Sequence, residues 1–397
     1  MSFNTEAQRL RGTKMVRLGE VCEEFSLRNR DGCEKSVYSV TNSEGFVSST
    51  DYFSKEVYSK DLTTYKLVET GMFAYNPSRI NVGSVSCWRG NGVAVISPLY
   101  VVFKINDKIL DSRFLEIFLH SSIALRQIKV LTSGSVRDSL KFSAFRNIQL
   151  PLPSLEEQRR IAGVLDRISE MKRNVEARIK KLDLLVKARF SEMFGDPIKN
   201  EKGFHEIKLE EVTTKIGSGA TPKGGKESYQ AIGISLIRSM NVHDGKFKYD
   251  DLAHLSDAQA KELNNVEVMT GDVLLNITGA SVARTCIVPN DVLPARVNQH
   301  VAIIRPNNKI ISLFLNSLLI YPTYKRLLLG IGESGGATRQ AITKQQLLTL
   351  KLPLPPLPLQ REFAGFVEKV ESLKAIAKKE LEKVDLLYRA KLQEFFG

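Results

Sequence analysis

The sequence predicts an α+β protein. Two similar mixed α/β domains, related by a pseudo-two-fold, are separated by two long helices that form an antiparallel coiled coil. Three observations predict this: a phrase written twice, a proline-free heptad pattern after each copy, and short alternating strands before each. "LPLPSLEEQRRIAG" starts at Leu150 and "LPLPPLPLQREFAG" at Leu352, 202 positions apart. Aligned without a gap, 150–195 and 352–397 share 18 of 46 positions, among them Gln158/Gln360, Arg159/Arg361, Ala162/Ala364, Gly163/Gly365, Asp183/Asp385, Leu184/Leu386 and Leu185/Leu387. Chance would give about 3. A period this long marks a duplicated domain plus connector, not a solenoid. The expected segments are 1–153 and 196–352 for the domains, and 154–195 and 353–397 for the helices.

The blocks ahead of each copy also match in places. "RLGEV" (17–21) answers "KLEEV" (208–212), "TGMFAYN" (70–76) answers "TGDVLLN" (270–276), and "GSVR" (134–137) answers "GATR" (336–339). Between these anchors the sequences differ, so one scaffold carries two different surfaces. Within each block "VAVISPLYVVFKI" (93–105) and "NQHVAIIRP" (298–306) read as strands. "DSRFLEIFLHSSIALRQI" (111–128) and "ISLFLNSLLIYPTYKRLL" (311–328) each read as one helical run.

The repeated segments read as long helices. Ser154 with Glu157 forms a capping box. The second copy has Leu359 at the Glu157 position, and Pro358 marks its first turn. The series Ile161, Leu165, Ile168, Lys172, Val175, Ile179, Leu182, Val186, Arg189, Met193 alternates steps of four and three. Adding 202 gives Phe363, Val367, Val370, Lys374, Ala377, Leu381, Val384, Tyr388, Lys391, Phe395. This is a heptad seam in both copies, and its polar breaks fall at the same places, Lys172/Lys374 and Arg189/Lys391. The competing reading is two unrelated amphipathic helices, each covering its own domain.

Composition is that of a soluble globular chain: 397 residues, 43% hydrophobic and 25% charged. The start "MSFNTEAQRLRG" lacks a signal-peptide core, and "IISLFLNSLLIY" (310–321) is too short to span a bilayer. Cys22, Cys33, Cys87 and Cys286 show no CxxC spacing and read as buried thiols. The expected location is cytoplasmic, with no membrane contact. The net charge of +13 is spread as +5, +3, +4 and +1 over the four segments in order, which points to a polyanion such as DNA.

Catalytic signatures appear only as near misses. "GATPKGGKE" (219–227) lacks the Gly-Lys-Ser/Thr ending of a phosphate loop. "NPSR" (76–79) lacks the second proline and the aromatic of an adenine methyltransferase motif and reads as a turn. Asp196, Glu206 and Lys208 carry nuclease-like spacing without a counterpart in the first block. The five histidines form no i, i+4 ligand pair, so no metal site is expected.

Taken together, a domain of about 150 residues, "LPLP…EQRRIAGVLD", a helix ending "MFGDP", a second domain and a second "LPLP…QREFAG" resemble the specificity subunit of type I restriction–modification enzymes across the whole chain. The resemblance implies two target-recognition domains reading a bipartite double-stranded DNA site and helical spacers that dock two methyltransferase subunits. Restriction/translocase subunits complete the assembly. It also implies no catalysis and no cofactor in this chain: S-adenosylmethionine, ATP and magnesium belong to the partners. The alternatives are a stand-alone metal-dependent DNA nuclease using Asp196, Glu206 and Lys208, or a coiled-coil scaffold with no DNA role. Candidate DNA contacts are Arg79, Arg89 and Arg137 in the first domain. In the second they are Lys223, Lys226, Arg238, Arg284 and Arg339, with Asn276 and Gln299 as weaker adenine readers. Arg137 and Arg339 occupy matched positions and suit a shared phosphate or structural role.

Overall fold

The computed structural model describes residues 13–34, 36–49, 59, 61–132, 139–222, 224–333 and 340–397. Two compact units emerge. One comprises the chain up to Glu176 together with Lys379–Gly397, the other Ala177–Lys378. Each unit thus takes in part of both long helices, because helix side chains complete each domain core: Ile161, Ala162 and Leu165 pack with Phe114 and Phe118 in the first.

In the first unit β1 (Met15–Arg17) leads into the short α1 (Leu18–Val21). One sheet is built from β2 (Cys22–Phe25), a second from β3 (Val37–Thr41), β4 (Gly45–Ser48) and β5 (Lys66–Val68). Next come β6 (Phe73–Tyr75), β7 (Val85–Cys87), β8 (Ala94–Ile96), β9 (Val101–Ile105) and β10 (Gln149–Pro151). The sheet orders are β2-β9-β6-β7 and β4-β3-β8-β5, with β1 paired to β10. All neighbours are antiparallel except β3 and β8.

Because strand side chains alternate faces, Phe73, Tyr75 and Phe103 point to a core shared with α2 (Ser112–Leu119), α3 (Ser122–Thr132) and α4 (Phe142–Phe145). Ala74 and Val102 face the second sheet instead, against Val40, Trp88 and Ile96. Buried on both faces, these strands read as continuous apolar runs. The first long helix, α5, is Leu155–Phe194.

The second unit repeats this plan. Its strands are β11 (His205–Lys208), β12 (Thr213–Ser218), β13 (Ile234–Ile237), β14 (Val242–His243), β15 (Lys246–Phe247) and β16 (Ala253–Leu255). After α6 (Asp257–Glu262) come β17 (Glu267–Val268), β18 (Val273–Asn276), β19 (Thr285–Ile287), β20 (Ala295–Val297), β21 (Val301–Pro306) and β22 (Lys351–Leu354). Orders β12-β21-β18-β19 and β16-β13-β20-β17, with β13 and β20 parallel and β11 paired to β22, reproduce the first unit strand for strand; β14–β15 is an added hairpin. Helices α7 (Ser312–Ile320), α8 (Pro322–Glu333), α9 (Lys344–Leu348) and the long α10 (Leu357–Phe396) follow.

Two expectations need correction. The runs 111–128 and 311–328 each fold as two helices. Ser121 restarts the first by accepting from the Ala124 amide at 3.2 Å. Pro322 restarts the second, holding Tyr321 extended before it. Cys33 is exposed, whereas Cys22, Cys87 and Cys286 are buried.

A buried glutamine anchors each long helix in the same way, and the first helix has a serine cap besides. Ser154 Oγ accepts from the Glu157 amide at 3.3 Å. One turn in, Gln158 has no solvent exposure: its Oε1 accepts from Asp111 N (2.8 Å), and its Nε2 donates to Ile109 O (2.9 Å) and Pro153 O (2.8 Å). Gln360, equally buried, takes the amide of Ile311 (2.9 Å) and donates to Lys309 O (3.2 Å) and Pro355 O (2.8 Å). One side chain thus ties each long helix to the loop ahead of α2 or α7.

Within each unit the helix segments run antiparallel. In the first, Lys172 Nζ meets Asp385 at 2.7 Å and the Arg160 guanidinium lies 5.7 Å from the Phe395 ring. Ile161, Leu165, Ile168, Val175, Val384 and Phe395 are buried there, and Leu381 and Tyr388 half-buried. In the second, Asp183 meets Lys374 Nζ at 2.7 Å and Arg189 meets Glu362 at 2.6 Å. Phe363, Val367, Val370 and Ala377 are buried, with Ile179, Leu182 and Val186 half-buried. Burial pulls the Lys374 ammonium down, but hydrogen bonds to Asp183 and Glu371 outweigh it and leave it raised.

Candidate nucleic-acid interface

The two units carry one equivalent loop between β6 and β7 and between β18 and β19. Registers match at an offset of 200, with Phe73 opposite Cys87 and Val273 opposite Ile287. Asn76 N donates to Ser84 O (3.1 Å) as Asn276 N does to Arg284 O (2.8 Å). Each loop contains one short 3-10 turn, and the residue after it or next but one lies in the left-handed region, Gly83 at φ 90° and Ala283 at 64°. A backbone bond ties each to the segment after α3 or α8: Leu140 N to Pro77 O (2.9 Å), Ile342 N to Ile277 O (2.8 Å). Scaffold geometry is shared; side chains are not.

The candidate contacts divide. Arg79 is exposed on the first loop, where Ser78 N donates to Asn76 Oδ1 (3.0 Å) to close the turn. Arg284, half-buried on the second, lines a cavity of about 420 Å³ with Ser239, Met240, Thr278, Ser281 and His300. Gln299 is exposed at the end of the β20–β21 connection. Arg238 is half-buried: its guanidinium lies 5.6 Å from the Tyr229 ring and donates to the Asp251 carbonyl. Arg137, Lys223, Arg339 and the side chain of Lys226 lie outside the described residues.

Two candidates are built into the protein instead. Asn276 is fully buried, its Nδ2 donating to Ser239 O at 2.8 Å, so it braces β18 against the 239–242 segment and offers no edge to a base. Arg89 pairs with the buried Glu116 at 2.7 Å. Glu116 also accepts from Arg113 (2.8 Å), Ser86 Oγ (2.7 Å) and Cys87 N (3.1 Å). Burial pushes its carboxyl up, but the Arg89 charge and these donors outweigh it and hold it below the usual glutamate value. Glu116 fixes Arg89 beside the β6–β7 hairpin, although nearly half of the arginine remains open to solvent (46%).

The nuclease-like triplet is not assembled for chemistry. Asp196 Oδ1 accepts from Ile198 N (2.8 Å), Lys199 N (3.3 Å) and Thr323 Oγ1 (3.0 Å), which closes the turn after α5. Lys208 pairs with Glu210 at 3.7 Å, and Glu206 sits on β11 opposite Pro353. Among the described residues no three His, Cys, Asp or Glu side chains converge as a metal site, and no helix is long and apolar enough to cross a membrane.

Sequence reasoning missed Thr221, Thr278 and His300, which bond in a chain around Gln299. The available signal is His300 directly after Gln299 in sequence.

The family model for the type I restriction modification DNA specificity domain matches residues 11–183 and again 201–386. The chain is 24% identical to the type I restriction enzyme MjaVIII specificity subunit of Methanocaldococcus jannaschii, over 73% of this chain and 71% of that one. It is 22% identical to the putative MjaX specificity subunit of the same organism, over 94% and 92%. A solved chain of a type I R-M system aligns over 97% of this chain and 98% of its own, with TM-score 0.62 and 23% identity. The S subunit from M. genitalium aligns over 100% and 98%, with TM-score 0.58 and 15% identity. These structural likenesses concern the fold. Two matches to one domain model, on two units of the same topology, place the chain in the type I restriction–modification DNA specificity family: it is a specificity subunit with two recognition domains.

Proposed function

We propose that each recognition domain reads one half of a bipartite duplex site, and that the helices carry two copies of one methyltransferase subunit. The observation that carries the first part is the repeated scaffold with changed loop chemistry: Arg79 and Pro77 on one hairpin, Arg284 and Ile277 on its equivalent. Exposed apolar side chains support the second. Met171, Leu386 and Leu387 flank the Lys172–Asp385 pair, and their repeat equivalents Leu373, Leu184 and Leu185 flank Lys374–Asp183. Matched apolar patches suit two copies of the same partner. Restriction/translocase subunits join that assembly in this reading. S-adenosylmethionine, ATP and magnesium then serve the partners, where adenine methylation and ATP-dependent cleavage take place, in the cytoplasm. This chain supplies recognition alone.

The test exchanges residues 1–150 for those of another family member and maps methylated sites in cells that also carry the methyltransferase. One half-site should change and the other persist. Simultaneous change of both would sink the two-reader scheme.

A further inference from the structure

The second domain contains a chain of bonded side chains, Thr221–Gln299–His300–Thr278, that includes an exposed amide. The Thr221 hydroxyl donates to Gln299 Oε1 at 2.6 Å. Gln299 Nε2, which can only donate, reaches His300 Nε2 at 3.2 Å. With the amide in this arrangement that nitrogen accepts and the other ring nitrogen, Nδ1, bonds Thr278 Oγ1. Reversing the amide would require the other His300 tautomer and a change of role at both hydroxyls, so the four groups turn together or not at all. The amide plane is held from both sides.

The backbone beneath is equally fixed. Asn298 Oδ1 accepts from His300 N (3.0 Å), and Ile277 N donates to His300 O (3.0 Å). Gly219 lets the segment leading to Thr221 approach: a Cβ there would lie 1.7 Å from Val297 O. Gln299 itself is exposed. After its two internal bonds the exposed amide still has one N–H and one oxygen lone pair to offer. That pattern complements N7 and the N6 amino group of adenine in the major groove, while guanine would set O6 against Oε1.

The first domain treats the same place differently. Ile96 pairs with Tyr38 as Val297 pairs with Ile237, so Pro98 and Leu99 occupy the register of Gln299 and His300. Leu99 is 79% exposed. A shared position with unlike chemistry is what a base-reading position on a duplicated scaffold requires.

We propose that Gln299 reads an adenine of the second half-site, with Thr221, His300 and Thr278 as positioning residues. This rests on the DNA-specificity reading above and deepens it. The test uses the full chain with its methyltransferase partner, on duplexes in which every base pair of the wild-type site is replaced in turn. Wild type should prefer adenine over guanine at one second-half position by about 5- to 150-fold. Gln299→Ala should flatten that position alone, and Gln299→Glu, an acceptor only, should turn the preference toward cytosine. Thr221→Val and His300→Ala should relax the same position without touching the first half-site, and Thr221→Ser should retain wild-type discrimination. Gln299→Ala discriminating like wild type, or weakening all positions equally as a phosphate contact does, overturns the proposal. A wild-type complex with no base preference anywhere would instead overturn the specificity reading on which it rests.

Discussion

Truncating the buried glutamine that anchors each long helix should loosen one unit and leave the other intact. In Gln158→Ala three bonds disappear, to Asp111 N, Ile109 O and Pro153 O. At about 1 kcal/mol each the gross loss is about 3 kcal/mol. Ile109 is exposed and Pro153 half-buried, so water recovers part of it, leaving about 2 kcal/mol, roughly a 30-fold rise in local opening. Gln360→Ala should cost more, because the Pro355 it abandons is buried. Amide exchange by mass spectrometry, comparing peptides over 109–115 and 309–315, measures both at once. Gln158→Ala should speed exchange at Asp111 and spare Ile311, with Gln360→Ala doing the reverse and by the larger factor. Unchanged exchange at Asp111, or equal loosening of both peptides, would refute the anchoring role.

Acid should loosen the Glu116 site in the first unit but not its Asn316 equivalent. Glu116, held below its ordinary value, contributes stability that is present above the unfolded glutamate pKa and lost as pH falls through the folded one. Asn316 takes its place in the second unit, so protection corrected for intrinsic exchange should fall around Glu116 between about pH 5 and 3 and not around Asn316, and Glu116→Gln should abolish that local dependence. One thiol, Cys33, should react with a thiol reagent in the native protein and four after denaturation, since burial pushes Cys22 and Cys286 up to about 12 and Cys87 to about 11. Leu386→Asp or Leu184→Asp should each reduce bound methyltransferase from two copies to one by native mass spectrometry, and the double variant to none. Deleting Lys172–Arg178 with Lys374–Glu380 shortens each helix by about 10 Å and should bring unchanged half-sites roughly three base pairs closer in methylation maps; unchanged spacing would sink a ruler role.

The duplication, the 40-residue helices and the apolar strands were legible because periodicity is a local signal. What the sequence hid depends on distant partners. Gln158 and Gln360 stood out as identities, yet nothing local reveals that they grip loops almost 50 residues upstream. Arg89 looked available until Glu116, 27 residues on, proved to hold it. Asn276 looked like a reader because its burial is set by the 239–242 segment, far away in sequence. The helical runs were read as unbroken because their apolar spacing continues across His120 and Tyr321, where Ser121 and Pro322 in fact restart them.

The ion pairs in the helix seam couple the two copies crosswise. Lys172 pairs with Asp385, and its repeat equivalent Lys374 pairs with Asp183, the equivalent of Asp385. Each copy therefore carries both halves of this cross-pair, and Lys374 takes Glu371 of its own helix as well. A drift at Asp183 is penalised through Lys374, in the other copy, because an ammonium only 7% exposed would lose a partner. Divergence of one helix is thus checked by the other, whereas the recognition loops answer to no such reciprocal constraint. Sequence passing between the copies leaves the match intact, since either helix already presents the charge its counterpart requires.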